Sequence, residues 1–81
     1  MELQDTINLM TSNDYKERFK AEYYQTKIRY EKLHKMIVRY EAGTLNFEPS
    51  CSIELLKHQA SLMGQYLYDL EIRAEIERVE L

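Results

Sequence analysis

Residues 19–40 read FKAEYYQTKIRYEKLHKMIVRY, and the placing of their apolar side chains decides the fold. Phe19, Tyr23, Thr26, Tyr30, Leu33, Ile37 and Tyr40 alternate steps of four and three. An α-helix turns once in about 3.6 residues, so this spacing lines up one face, as a seam that packs along a partner helix. On its N-terminal side, Asp14 and Glu17 have capping-box spacing, with Asp in place of the usual Ser or Thr. On its C-terminal side, Gly43 suits the left-handed residue that ends a helix. The pattern therefore predicts a helix over 14–41. Leu56, Ala60, Met63, Leu67, Leu70 and Ala74 repeat the alternation, and Ser52 is placed to cap that second run, which predicts a helix over 53–79. The loop over 42–52 holds Gly43 and the chain's one proline, Pro49. Leu45 and Phe47 are expected to tuck beneath it and close the core. Two matching seams joined by one loop describe an all-α, antiparallel two-helix hairpin, a single domain over 1–81. Residues 1–12, where Leu3, Ile7 and Met10 share a face, form a short helix or an arm.

Size limits what such a hairpin does alone. At 81 residues the chain is near the lower bound for a self-sufficient core, and the lone Cys51 rules out an internal disulfide. Tyr24, Ile28, Tyr66 and Ile72 lie off the seams and are expected at a subunit interface of a homo-oligomer, since small scaffolds gain missing buried area by assembling. No apolar run approaches the ~20 residues of a membrane span, so the expected location is the cytosol, with no membrane partner. The formal charge of −3 argues against binding a DNA or RNA polymer, while one small anion held by a local cluster of cations remains compatible.

The chemistry-bearing residues point away from catalysis. His34, His58 and Cys51 match no ligand spacing for a metal, and no cofactor motif is present. No glycine-rich phosphate loop, triad or isolated pair of acids occurs, so the chain is not expected to be an enzyme. Asp14–Arg18, Glu31–Lys35 and Asp69–Arg73 have the i,i+4 spacing of helix-supporting ion pairs. Tyr15 and Arg18 share a face at the start of the first helix, Arg29 and Lys32 share one further along, and Tyr66 and Arg73 lie on one flank of the second. Two readings fit these sets: an aromatic face beside a cation that holds a nucleobase and its phosphate, or tyrosines packed between subunits with solvated cations.

The first helix reads Tyr15-x-x-Arg18-x-x-x-Glu22, then Lys32-Leu33-x-x-Met36-Ile37; the second reads Glu54-Leu55-Leu56-Lys57-x-Gln59-x-x-x-Met63-x-x-Tyr66-x-x-x-Leu70-x-x-Arg73. Over roughly residues 13–76 this resembles a family of short phage and prophage proteins, common in crAss-like and other tailed phages, similar to the anti-CBASS cyclic-oligonucleotide sponges. The resemblance implies a homo-oligomer, typically a hexamer, in the host bacterial cytoplasm. It would bind cyclic di- or trinucleotides between subunits without cleaving them and so silence immune signalling. By position it implies that Tyr15 stacks on a base, that Lys32 or Arg29 faces a phosphate, and that Arg73 and Arg18 line a second, separate pocket. The loop is longer than in the sponges, and residues 1–12 have no counterpart there. A helical protein–protein adaptor that blocks a host or phage protein is the competing expectation.

Overall fold

The computed structural model describes residues 1–81. A 3-10 turn, Leu3–Thr6, runs directly into α1 (Ile7–Met10); α2 (Tyr15–Ala42) and α3 (Ile53–Glu77) are the two long helices, and the chain has no strand. The start of α2 meets the end of α3 through Tyr15 and Glu77, while Glu41 at the end of α2 pairs with Lys57 near the start of α3. The hairpin is therefore antiparallel. Its longest dimension, 43 Å, is that of α2 itself.

Local chemistry sets the helix ends. The Asp14 carboxylate accepts from the Lys16 N–H at 3.0 Å and begins α2. The capping box expected there does not close: the Asp14 N–H donates to the Ser12 hydroxyl at 3.0 Å rather than to Glu17. A reciprocal box forms instead between Glu2 and Asp5. At the other end of α2, Gly43 adopts φ 76°, and the Gly43 and Thr44 N–H groups return to the Tyr40 and Arg39 carbonyls at 3.0 and 2.9 Å. Ser52 caps α3 by accepting from the Leu55 N–H at 3.2 Å. α3 ends two residues before the expected Val79. Arg78 takes the left-handed conformation, φ 59°, and the Val79 N–H bonds the Ala74 carbonyl at 2.8 Å. A non-glycine residue held this way is strained by about 1 kcal/mol. Burial of Val79 and donation from the Lys16 ammonium to the Arg78 carbonyl at 3.2 Å offset that cost.

Burial along the seams is uneven. Phe19, Tyr23, Leu67, Leu70, Ala74 and Val79 form the core, all at the end away from the connecting loop. Toward the loop Tyr30, Leu33, Ile37, Leu56, Ala60 and Met63 are only half-buried, and Tyr40 is exposed. Phe47 does not close the core as expected; it is 56% exposed, while Leu45 is half-buried against α2. The buried core lies at the opposite end of the hairpin, so the loop has no buried cluster for Phe47 to enter. Within the core the Tyr23 hydroxyl donates to Glu71 at 2.6 Å. Burial, followed by this carboxylate, pushes the Tyr23 phenol up to about 12. Its stabilising contribution is thus complete below the ordinary tyrosine value of about 10 and is lost as pH climbs to about 12.

The N-terminal segment folds back along a second stripe of α2, formed by Arg18, Ala21, Gln25, Ile28 and Lys32. Arg18 donates to the Ser12 carbonyl at 2.9 Å. Gln25 donates to Thr6 at 3.0 Å, and Thr6 is fully buried. Met1 and Glu2 sit beside Ile28 and Lys32. The alternating spacing of that stripe is the helix-packing rule applied a second time.

Gly64 lies inside α3 beneath Tyr30, and an added Cβ there would meet the ring at 3.5 Å, an ordinary contact distance. Gly64→Ala is expected to raise stability by about 0.5–1 kcal/mol through helix propensity alone. Leu70→Ala, which empties a position only 1% exposed, is expected to lower it by about 2–5 kcal/mol. Urea unfolding of the two variants against wild type measures both, and a shared sign would contradict this account of the core.

Candidate functional site

The most organised polar cluster lies at the open end of the hairpin, where α2 begins and α3 ends. Position 15 is the first residue of α2, and position 73 lies one turn before position 77 on α3, so the antiparallel packing brings all three together. Arg73 Nε donates to Glu77 at 3.0 Å, and Arg73 Nη2 donates to the Tyr15 hydroxyl at 2.7 Å. That hydroxyl in turn donates to the other Glu77 oxygen at 2.8 Å. The Phe19 ring supports the guanidinium from below, with its centroid 4.9 Å from Cζ, and the Tyr15 ring tilts against Phe19 at 6.2 Å. Phe19 is buried while Tyr15 is 48% exposed, so an open ring stands on a rigid base.

Electrostatics follow from these contacts. Hydrogen bonds from Tyr15 and then Arg73 hold the Glu77 carboxyl below its usual range. The Glu77 carboxylate raises the Tyr15 phenol and the Arg73 guanidinium. The ion pairs of the chain are Arg73–Glu77 and Lys57–Glu41, not the three expected from i,i+4 spacing. Arg73 turns to Glu77 instead of Asp69 because Phe19 and Tyr15, across the helix interface, fix the direction of its side chain. Arg18 likewise turns from Asp14 to the Ser12 carbonyl, because the N-terminal segment approaches on that side.

The site residues expected from sequence fall into two zones. Tyr15 and Arg73 touch in one cluster, and Arg18 lies one turn from Tyr15. Arg29 and Lys32 are exposed further along α2, about 21 and 25 Å from Tyr15 at 1.5 Å per residue. Lys32 instead lines an open groove of about 300 Å³ with Lys35, Met36, Arg39, Leu45 and Phe47. The residues expected between subunits also divide. Tyr24 packs edge-on against Tyr23 at 5.3 Å, and Ile28 is partly covered by the N-terminal segment. Tyr66 and Ile72 are each 41% exposed. Tyr66 belongs to an exposed apolar stripe of α3, Leu55, Leu62, Tyr66 and Ile76, whose spacing carries Arg73 on the same face. That stripe leads into the Tyr15 cluster. Ile72 lines a groove of about 540 Å³ with Tyr23, Val79, Leu81 and three glutamates, Glu71, Glu75 and Glu80, which repel an anion. Glu77 was not singled out from sequence; its i,i+4 spacing from Arg73 was the one available signal.

A family model described as Sequestin matches residues 13–76. No curated protein and no solved structure matches the chain. The matched span contains Tyr15, Phe19 and Arg73 and stops one residue before Glu77.

Tyr15→Phe removes the hydroxyl that donates to Glu77 and keeps the ring. The Glu77 carboxyl is then expected to titrate closer to an ordinary glutamate, read by NMR of its side-chain carbonyl carbon. In wild type the cluster's contribution is present above the ordinary carboxylate range and lost as pH falls through the lowered Glu77 value. An unchanged titration would show that Arg73 alone sets it.

Proposed function

The chain belongs to the Sequestin family, and from that premise we propose that it binds cyclic di- or trinucleotide second messengers and withholds them without cleavage. On this reading it is a phage anti-defence sponge that acts in the host bacterial cytoplasm and blocks CBASS-type signalling. The observation that carries the reading is the half-exposed Tyr15 ring joined to Arg73 over the buried Phe19. A nucleobase stacks on the ring face, and a phosphate accepts from guanidinium N–H groups not engaged within the cluster. Sequestration needs nothing more: no bond is broken, so no nucleophile, general base or metal is required.

Magnitudes favour a site used more than once per ligand. Stacking contributes on the order of 1–3 kcal/mol per base, and a charge-assisted hydrogen bond about 1.5–3 kcal/mol. One Tyr–Arg pair falls short of the roughly −12 kcal/mol of nanomolar binding, particularly after the costs of association. Two pairs related by a two-fold axis present two rings and two guanidinium groups to a ligand with two bases and two phosphates. We therefore place the ligand between copies of the chain in a homo-oligomer, a hexamer by analogy with the sponges. Arg29 and Lys32, too far from Tyr15 within one chain, reach a phosphate from a neighbouring copy.

A second reading has its own observation. The exposed stripe Leu55, Leu62, Tyr66 and Ile76 also suits a helical adaptor that covers a host or phage protein and takes no nucleotide.

Tyr15→Ala tests the first reading. Calorimetric titration with cyclic di- and trinucleotides is expected to show at least a ten-fold loss of affinity, with helicity by circular dichroism and oligomer size by light scattering unchanged. Undiminished binding would remove Tyr15 from the ligand site, and loss of the oligomer would assign it to packing.

A further inference from the structure

Three cations near Tyr15 have acceptors within the chain. Arg18 donates to the Ser12 carbonyl and Lys16 to the Arg78 carbonyl. Arg73 alone is engaged by a charged group, Glu77. Both oxygens of that carboxylate are used, one by the guanidinium Nε and one by the phenol, and the phenol accepts from Nη2, so the three side chains close a ring of hydrogen bonds. An arriving phosphate meets a guanidinium whose charge is already balanced.

We infer that Glu77 is a built-in competitor for Arg73, an affinity- and selectivity-setting residue that disfavours bare anions at the site relative to a phosphate carried on a stackable base. This rests on the nucleotide-binding reading above and adds a residue to it. Glu77 is tethered one helical turn from Arg73, so no translational freedom is lost when the two meet, whereas free phosphate loses it on binding. A bare anion on the remaining guanidinium N–H groups thus meets a cation already neutralised, and one that displaces Glu77 exchanges one ion pair for an equivalent one at a net loss. A nucleotide brings in addition the stacking of its base on Tyr15, which Glu77 does not supply. The carboxylate lies at the Nε edge, and displacing it breaks a half-exposed pair; the Arg73 and Glu77 side chains are 46% and 31% exposed. The barrier it sets is accordingly modest, enough to filter ligands without closing the site.

Glu77→Gln keeps the shape of the side chain and removes its charge, and Glu75→Gln, two residues earlier and exposed, makes the same change in net charge outside the ring. Calorimetry with a cyclic dinucleotide is expected to show about two- to five-fold tighter binding for Glu77→Gln and no comparable gain for Glu75→Gln. Inorganic phosphate, followed through the Arg73 Nε–H resonance by NMR, is expected to shift Glu77→Gln at several-fold lower concentration than wild type. Weaker nucleotide binding by Glu77→Gln would overturn the inference and make Glu77 a residue that positions Arg73. Equal gains in the two variants would overturn it as a plain net-charge effect. A phosphate response in Glu77→Gln with no nucleotide binding by either protein would support the competitor and refute the sponge.

Discussion

Two helices in contact bury one face each, and in this chain even those faces are covered along only half their length. Eight of 81 residues are buried, and apart from Thr6 and Ala21 they belong to the cluster at the open end of the hairpin. The short N-terminal segment answers part of the deficit by lying on the second stripe of α2. Leu55, Leu62, Tyr66 and Ile76 stay uncovered on α3. A hairpin built this way has a firm end and a loose end, with most of its unspent apolar surface on one helix face. That distribution leaves α3 with two apolar stripes, of which the hairpin covers one.

The candidate site stands at the firm end for the same reason. Phe19 belongs to the core, so the guanidinium that rests on it and the tyrosine that leans against it inherit a fixed base. A binding group whose rotamer is held before the ligand arrives loses less freedom on binding. The basic groove of Lys32, Lys35 and Arg39 has no such support: it is open, its cations are exposed, and the nearby Phe47 reaches into solvent. Structural order, more than the number of cations, distinguishes the two places.

The hairpin was legible because its signals are local. Alternation of four and three over Phe19–Tyr40 and Leu56–Ala74, Gly43 as a left-handed terminator and Ser52 as a cap each depend on a few neighbouring residues. What escaped depends on groups brought together by folding. Ser12 in place of Glu17 at the start of α2 follows from how the N-terminal segment enters the helix. Arg73 chooses Glu77 over Asp69 only because Tyr15, 58 residues away in sequence, lies across the interface. Spacing shows which residues share a face and not what stands opposite that face, so the sets Tyr15–Arg18 and Tyr66–Arg73 were both visible while the pairing of Tyr15 with Arg73 was not. Phe47 reads as core by its hydrophobicity, but the buried core lies at the far end of the hairpin, out of the loop's reach.

The central claim is that copies of this hairpin join to hold an intact cyclic nucleotide, and native mass spectrometry of the full chain with a panel of cyclic di- and trinucleotides tests it most directly. The account predicts a discrete homo-oligomer that takes up ligand in fixed stoichiometry and releases it chemically unchanged on heating. An oligomer that ignores the whole panel, or one that returns hydrolysed ligand, would contradict it.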